Sequence, residues 1–461
     1  MPLLIVQEKM IDLLNPLDSR YRNRTEESRR YFNQESITST RCEIELWYYQ
    51  HLLTDERSPF YIEGYDLDDA FWSHLHDRIF TLDEYQYTRI DGLEKETRHD
   101  VRAVIEFMVE EITKYTPFEE SSVRQAVHFG LTSQDVVDAA DVITLEIFLR
   151  NLLGMMSNGM FKALSRIEEG HYGTIMLSRT HGQPAVPTSW NNFIEFHRQR
   201  LYHFVDEVGA YEPTIKFSGA TGGFNAHNKF FEEPKEFLKD FVDNVLGEKF
   251  DLTLDWYHYG TQISPYVHRS KLFGAFASLS ACLLDFCRDL WNLNARKLLV
   301  TRDSNSSSST MPTKSNPIAL ENAESNLKIA IMWFQKLQTD LLISRDQRDL
   351  SGSSLYRNLG VAFGHFELSI ESLTKYLNST DANKQAMHGE ISRNLECFSE
   401  LVYLQLKLHG VDNARDVTTK MFELGIRKDT TWSREVTGLS TNESKALKQM
   451  VLAWDYLPIQ Y

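Results

Sequence analysis

Residues 266–300 read YVHRSKLFGAFASLSACLLDFCRDLWNLNARKLLV. Within them Leu272, Phe276, Leu279, Leu283, Phe286 and Leu290 recur at three- and four-residue steps, the period that stacks side chains on one face of an α-helix. Other apolar positions widen that face, and a helix apolar over so much of its circumference is buried by several neighbours. The pattern repeats wherever proline is absent. Residues of about 133–169, 188–212, 317–343 and 355–377 carry the same spacing, so five long helices are expected. Pro317 stands where one of them should begin, because the first helical turn has no use for the missing N–H. Thr132, Ser133 and Asp135 stand where a cap would satisfy the orphan N–H groups of another.

Strand signals are few. Short stretches at 175–177 and 250–254 have them, too isolated to found a sheet, and the expected fold class is all-α. The expected partition is an N-terminal helical domain over residues 1–120, a central long-helix bundle over 121–370 and a C-terminal helical domain over 371–461. Helices of this length span roughly 38 to 55 Å at 1.5 Å per residue. That exceeds what a compact domain encloses, so their apolar faces call for further copies of the chain and a homo-oligomer is expected.

Composition narrows the function. A formal charge of −16 argues against nucleic acid, whose phosphates need a basic surface. No uninterrupted apolar stretch approaches the length that crosses a bilayer, and the N-terminus MPLLIVQEKMIDLL is broken by charges. A cytoplasmic protein without membrane partners is the expectation. Cys42, Cys282, Cys287 and Cys397 have neither redox-pair nor zinc-site spacing, and they read as reduced, buried thiols. A small anionic ligand stays compatible with the charge if Arg and Lys gather locally.

Four segments interrupt the helical pattern with polar residues: DSRY (18–21), TRHDV (97–101), SRTHGQPAVP (178–187) and SSSSTMPTKSNP (306–317). In the third, Gly182 and Pro184 follow His181, placing it at a tight break beside a helix start. There it is able to point into a cleft and titrate near neutrality as a general acid or base; a turn histidine bonded to backbone is the bland alternative. In the fourth, a serine run that alone would read as a flexible linker is tethered to Lys314, Asn316 and the helix start at Pro317, whose N-terminus favours anions. A serine loop hinged there suits a site that closes over substrate. Arg98 and His99 fit either a solvated turn or a site. Arg345, Arg348 and Arg357 alternate with Ser351, Gly352, Ser353 and Ser354, a setting that suits carboxylate or phosphate recognition as well as a solvated face.

Together these segments resemble the fumarase, aspartase and argininosuccinate lyase superfamily, and within it the bacterial-type adenylosuccinate branch. SSxMPxKxNP resembles the superfamily signature; SRTHGQPA, TSQD and QRDL resemble the branch, and GGFNAH (222–227) and TQIxP (261–265) extend the likeness, which runs from about residue 15 to about 370. The resemblance implies three all-α domains, a homotetramer whose central helices form a common core, sites shared between subunits, and no cofactor or metal. It implies elimination of fumarate from N-succinyl nucleotides, adenylosuccinate and the succinylated imidazole carboxamide ribotide. Ser308 would be the general base and His181 the general acid. His99 and Asp100 would help hold the succinyl and phosphate groups; Arg20, Tyr21, Arg98, Thr132, Ser133, Gln262, Lys314, Asn316, Asn322, Arg348, Ser353, Ser354 and Arg357 would bind the substrate.

The chemistry fits those residue types. Removing a proton beside a carboxylate builds a doubly charged aci-carboxylate, which Lys314 and the helix start would stabilise. Ser308 would need desolvation and positive charge to act as a base. Four positions depart from the pattern: Ser307 replaces the usual glycine, Ser19 stands in DGRY, Thr313 where histidine is common, and Gly352 where an acidic residue is expected. Beyond about Asn413 the likeness is weak and the chain ends in WDYLPIQY. The alternatives are a paralogous lyase acting on another N-succinyl amine, a serine hydrolase, which lacks a GxSxG elbow, and a non-catalytic structural protein, against which the retention of Ser308 and His181 argues.

Overall fold

The computed structural model describes residues 14–64, 69–80, 82–302, 311, 316–423, 442 and 445. Helices dominate it, as expected. Val267–Ala295 is one helix, and all six residues of its predicted face are buried. It is apolar enough by composition to cross a bilayer, but 67% of its most apolar window is buried inside the protein, which makes it a core helix. Ile318–Asp340 starts directly after Pro317, whose carbonyl accepts from the N–H groups of Leu320 and Glu321 at 3.0 and 3.2 Å.

Two predicted helices differ in detail. The stretch from Ser133 runs as an α-helix to Met155, widens into a π-turn over Met156–Phe161 and resumes over Lys162–Glu169. The helix expected from 188 starts at Trp190, because residues 183–189 are taken by a strand. Among the described residues there are three two-stranded sheets, small additions to a helical fold. Ile175–Thr180 (β1) and Gln183–Ser189 (β2) form an antiparallel hairpin. Pro184 and Pro187 are tolerated because each strand of a two-stranded sheet is an edge. Thr214–Ile215 pairs in parallel with Asp255–Trp256, and Leu299–Thr301 pairs antiparallel with Thr380–Ala382. The strand expected at 250–254 thus lies just downstream.

The chain divides into two compact units. The first comprises Met1–Ser157, His203–Leu284 and Ala323–Glu371. The helix Gln34–Thr54 runs through its core, with fourteen of its residues buried. An aromatic chain ties the long helices together: Phe32 meets Phe148 at 4.8 Å between centroids, Phe148 meets Phe363 at 4.8 Å, and Phe276 meets Phe363 and Phe334 at 5.0 and 5.1 Å. Such offset and edge contacts add to the burial they accompany.

The second unit comprises Asn158–Tyr202, Asp285–Asn322 and Ser372–Tyr461. Its described core joins Leu177 of β1 to Ile391, Phe398, Val402, Leu406 and Met421. Arg166 binds it from within, donating to the carbonyls of Leu377 and Thr380, each at 2.7 Å, and to Asp381 at 2.9 Å.

The first unit carries charges in its interior. Lys216 and Asp135, both fully buried, pair at 2.5 Å, and Asp138 pairs with buried Arg269. Asp135 Oδ1 also accepts from the N–H groups of Ser218 and Gly219, Asp138 Oδ2 accepts from Lys216 N at 2.7 Å, and Lys216 Nζ donates to the Gly219 carbonyl at 2.8 Å. Removing one member strands the other in a medium that cannot solvate it. Lys216→Met is expected to lower stability in urea titration by about 3–5 kcal/mol, and adding Asp135→Asn to recover part of that loss; no change in midpoint for the single variant would contradict a tightly coupled pair.

Candidate active site

Three of the resembling segments, and the residues flanking two more, share a backbone feature that a sequence does not display. Arg98, His181, Phe224, Tyr266 and Asp346, all non-glycine, have φ between 48° and 55°. That region costs an L-residue energy and persists only where the surroundings enforce it. His128, Glu233, Asp251 and Lys297 share the conformation elsewhere, so it shapes these segments without being confined to them.

Arg98 ends the helix Glu84–Thr97 in a left-handed conformation, its N–H donating to Glu94 O at 2.7 Å. His99 then caps the next helix, Asp100–Tyr115, with Nδ1 accepting from Arg102 N at 3.4 Å.

Asp100 is the meeting point of the segment. Its Oδ1 accepts from Val101 N at 2.9 Å and lies 3.4 Å from His99 Nδ1; its Oδ2 lies 3.1 Å from Arg41 and 3.9 Å from Arg357. Burial pushes the carboxyl up, but Arg41, the Val101 N–H and His99 outweigh it, and the group is held below the usual carboxylate range. Asp100 is therefore an anion set among cations.

Arg348 Nη1 donates to Gln262 Oε1 at 3.2 Å, and Gln262 N donates to the Gln347 carbonyl at 3.2 Å. The helix Ser351–Tyr356 holds half-buried Ser353 and exposed Ser354; Ser353 O accepts from Arg357 N at 3.2 Å. A Cβ at Gly352 would meet only Leu341 at 3.9 Å, so glycine is not demanded there by space. Thr132 and Ser133 open the helix Ser133–Met155, and Asp135 Oδ2 accepts from Thr132 N at 2.8 Å. Arg20 is exposed, and its guanidinium lies over the Tyr21 ring at 5.9 Å. The first unit thus joins His99, Asp100 and Arg357 in one cluster and Gln262 with Arg348 in another.

In the second unit, His181 occupies the tip of the β1–β2 hairpin. With Gly182, also at positive φ, it forms the two-residue connection between paired Thr180 and Gln183, and positive φ at both central positions is the signature of a type I′ turn. The histidine is exposed, and the helix start expected beside it lies eight residues beyond the turn, at Trp190. The hairpin is braced: Arg179 donates to Gly182 O at 2.9 Å and to Glu390 at 2.9 Å, and Glu390 also pairs with Arg296. Half-buried Asn316 precedes the helix Ile318–Asp340, and Asn322 Oδ1 accepts from Ser372 Oγ at 2.8 Å. Ser307, Ser308, Thr313 and Lys314 lie outside the described residues.

Sequence reading missed Arg41, Lys216 and the Asp138–Arg269 pair. A usable signal existed for the last two: Asp135, Asp138 and Asp141 recur every three residues along a helix that is otherwise apolar, which places carboxylates on its buried side.

The first unit thus offers exposed and half-buried guanidinium groups and small hydroxyl residues at helix starts, and the second offers an exposed histidine on a braced turn. Comparison with known proteins defines the class. Residues 72–330 match the family model described as Lyase, and residues 344–454 match that of the adenylosuccinate lyase C-terminal region. A fumarate lyase structure from Mesorhizobium sp. BNC1 superposes with TM-score 0.73 at 16% identity, covering 94% of this chain and 95% of that one, which speaks for the fold. Adenylosuccinate lyase of Vibrio cholerae is 30% identical over 87% of this chain and 86% of its own length. That of Dictyostelium discoideum is 28% identical over 98% of both. The chain belongs to the adenylosuccinate lyase family and is a carbon–nitrogen lyase. The family match continues past residue 370, through most of the C-terminal stretch where the motifs give out.

His227, the last residue of GGFNAH, has a structural role. Tyr48 OH donates to Phe129 O at 2.9 Å, so at 3.1 Å from Tyr48 the His227 Nε2–H must be the donor. Burial lowers its pKa from 6.5 to about 4, Asp135 opposing and Lys216 assisting. The unfolded chain binds this proton below about 6.5 and the folded one only below about 4. Stability is therefore complete above the first value and falls as pH drops towards the second. Urea midpoints are expected to decline over that window, by roughly 3 kcal/mol if this group acts alone. His227→Gln, which keeps a donor, should flatten the decline; an unchanged slope would remove His227 from the account.

Proposed function

We propose that the chain releases fumarate from adenylosuccinate to give AMP, and from the succinylated imidazole carboxamide ribotide to give the free carboxamide. The observation that carries the proposal is the braced hairpin that presents His181 at an exposed, positive-φ turn in a chain of this family. In this reading Ser308 removes the proton from the carbon next to a succinyl carboxylate. The electron pair forms the new double bond as the C–N bond breaks, and His181 gives a proton to the departing nitrogen. Lys314 and the helix start after Pro317 stabilise the aci-carboxylate. Arg20, Tyr21, Arg98, His99, Asp100, Thr132, Ser133, Gln262, Asn316, Asn322, Arg348, Ser353, Ser354 and Arg357 bind the rest of the substrate. Neither metal nor organic cofactor enters this chemistry. A paralogue acting on another N-succinyl amine is not favoured, since relatives of near-full length share the name adenylosuccinate lyase.

The same proposal includes a cytoplasmic homotetramer with sites shared between subunits, divided near residues 120 and 370 into three helical domains. Supporting an assembly, the long helices expose Phe196, Trp291, Ile318, Ile329 and Met332. In the first unit a cavity of about 660 Å³ is lined by Gly274, Ala277 and Ala281 together with the polar Glu207, His268, Lys271 and Gln335. Purified protein supplied with adenylosuccinate should yield fumarate and AMP in equal amounts. Ser308→Ala and His181→Ala should each lower kcat at least about 100-fold. A folded wild-type tetramer that leaves the substrate intact would overturn the substrate assignment.

A further inference from the structure

Arg41 belongs to none of the motifs that carry the family likeness. It sits in the helix Gln34–Thr54, its side chain 10% exposed, and its Nη1 is 3.1 Å from Asp100 Oδ2. Arg357 Nη2 approaches the same oxygen at 3.9 Å, from a side chain that is 76% exposed. The other carboxylate oxygen is occupied, accepting from Val101 N and facing His99. Two guanidinium groups therefore compete for Oδ2, one buried and one facing solvent, and the buried one is closer.

We infer that Arg41 is a positioning residue: by holding Asp100 from beneath, it prevents that carboxylate from closing on Arg357 and so keeps the Arg357 charge available to an anionic group of the substrate. The inference deepens the reading in which Arg357 binds substrate.

Two further facts agree with it. A partly buried Asp100 deprived of Arg41 has Arg357 as its nearest remaining guanidinium, and an unpaired carboxylate gains by shortening that contact. Arg41 also serves a second carboxylate. Asp141, on the helix Ser133–Met155, is raised by burial to about 7, with Arg41 first among the cations that oppose the rise, ahead of Arg269 and Arg357. One buried cation thus acts on two acidic groups, on Asp100 by contact and on Asp141 through its charge. Losing it leaves Arg357 as the remaining guanidinium at Asp100, while Arg269 still acts on Asp141.

The test uses the full-length protein and the variants Arg41→Met and Arg41→Lys. Steady-state kinetics with adenylosuccinate should show KM raised at least about tenfold by Arg41→Met with kcat within about threefold, and a partial return of KM in Arg41→Lys, which restores the charge. A residue that only stabilised the fold would lower the melting temperature and the amount of active enzyme without that split. In parallel, calorimetric titration with succinate and with inorganic phosphate reads anion affinity without turnover. At least one of them should bind about tenfold more weakly to Arg41→Met. Wild type that does not turn over adenylosuccinate but shows this loss sinks the substrate assignment and leaves the inference standing. Wild type that turns over, with unchanged KM and unchanged anion affinity in Arg41→Met, overturns the inference alone. If Arg41→Met does not fold, Arg41→Lys decides: KM and anion affinity intermediate or weaker than wild type support the role, and values equal to wild type, with kcat reduced, refute it.

Discussion

Two ion pairs one helical turn apart, Asp135 with Lys216 and Asp138 with Arg269, set the frame of the first unit. Four charged groups are taken almost completely out of water, at a desolvation cost of several kcal/mol per ion before any return. The return comes from saturation: Asp135 answers Lys216 and two backbone N–H groups through Oδ1 and the Thr132 N–H through Oδ2. Replacing such pairs by well-packed apolar residues is often neutral or stabilising, so their net contribution to stability is small. With Asp135 and Asp138 fixed on one helix, the Thr214–Ile215 strand, the loop after it and the start of the Val267–Ala295 helix have one register that leaves no buried charge unmet. Gly222 marks how closely the loop is then packed, because a Cβ there would lie 2.1 Å from the Gly260 carbonyl oxygen.

That frame decides where strain is tolerated. Arg98, Phe224 and Tyr266 hold positive φ at the ends or starts of first-unit helices, where caps or the interior network fix their neighbours. A strained residue on a mobile loop would relax. At the hairpin of the second unit, the brace from Arg179 to Glu390 and on to Arg296 plays the corresponding part for His181.

The sequence made the helices legible because their signal is redundant: six apolar residues in Val267–Ala295 all had to fall on one side, and all are buried. The hairpin was not legible to the same degree. Its strands hold Pro184 and Pro187, which read as breakers, and its turn is His-Gly, where positive φ in a non-glycine residue leaves no trace in composition. The π-turn at Met156–Phe161 was invisible because it changes the hydrogen-bond step and not the apolar spacing. For the candidate site, the motifs located Asp100 and Arg357 separately, but nothing in one sequence tells that Arg41 lies between helices and reaches Asp100. A buried arginine and a surface arginine are the same letter. Only its partner, a carboxylate brought from 59 positions away, separates them.

The division of cations in this acidic chain has a physical logic. Buried cations are matched to carboxylates in the interior: Lys216 to Asp135, Arg269 to Asp138, Arg41 to Asp100. Arg348 is treated differently. Its partner is the neutral Gln262 oxygen, which orients the guanidinium without cancelling its charge. Arg357 shares a carboxylate that is already taken. A net charge of −16 repels a polyanion at a distance, and salt screens that repulsion over about 8–10 Å. Attraction at contact therefore depends on which guanidinium groups have been left uncompensated, and those are set by neutral partners and by prior claims on nearby carboxylates rather than by the number of arginines in the motifs.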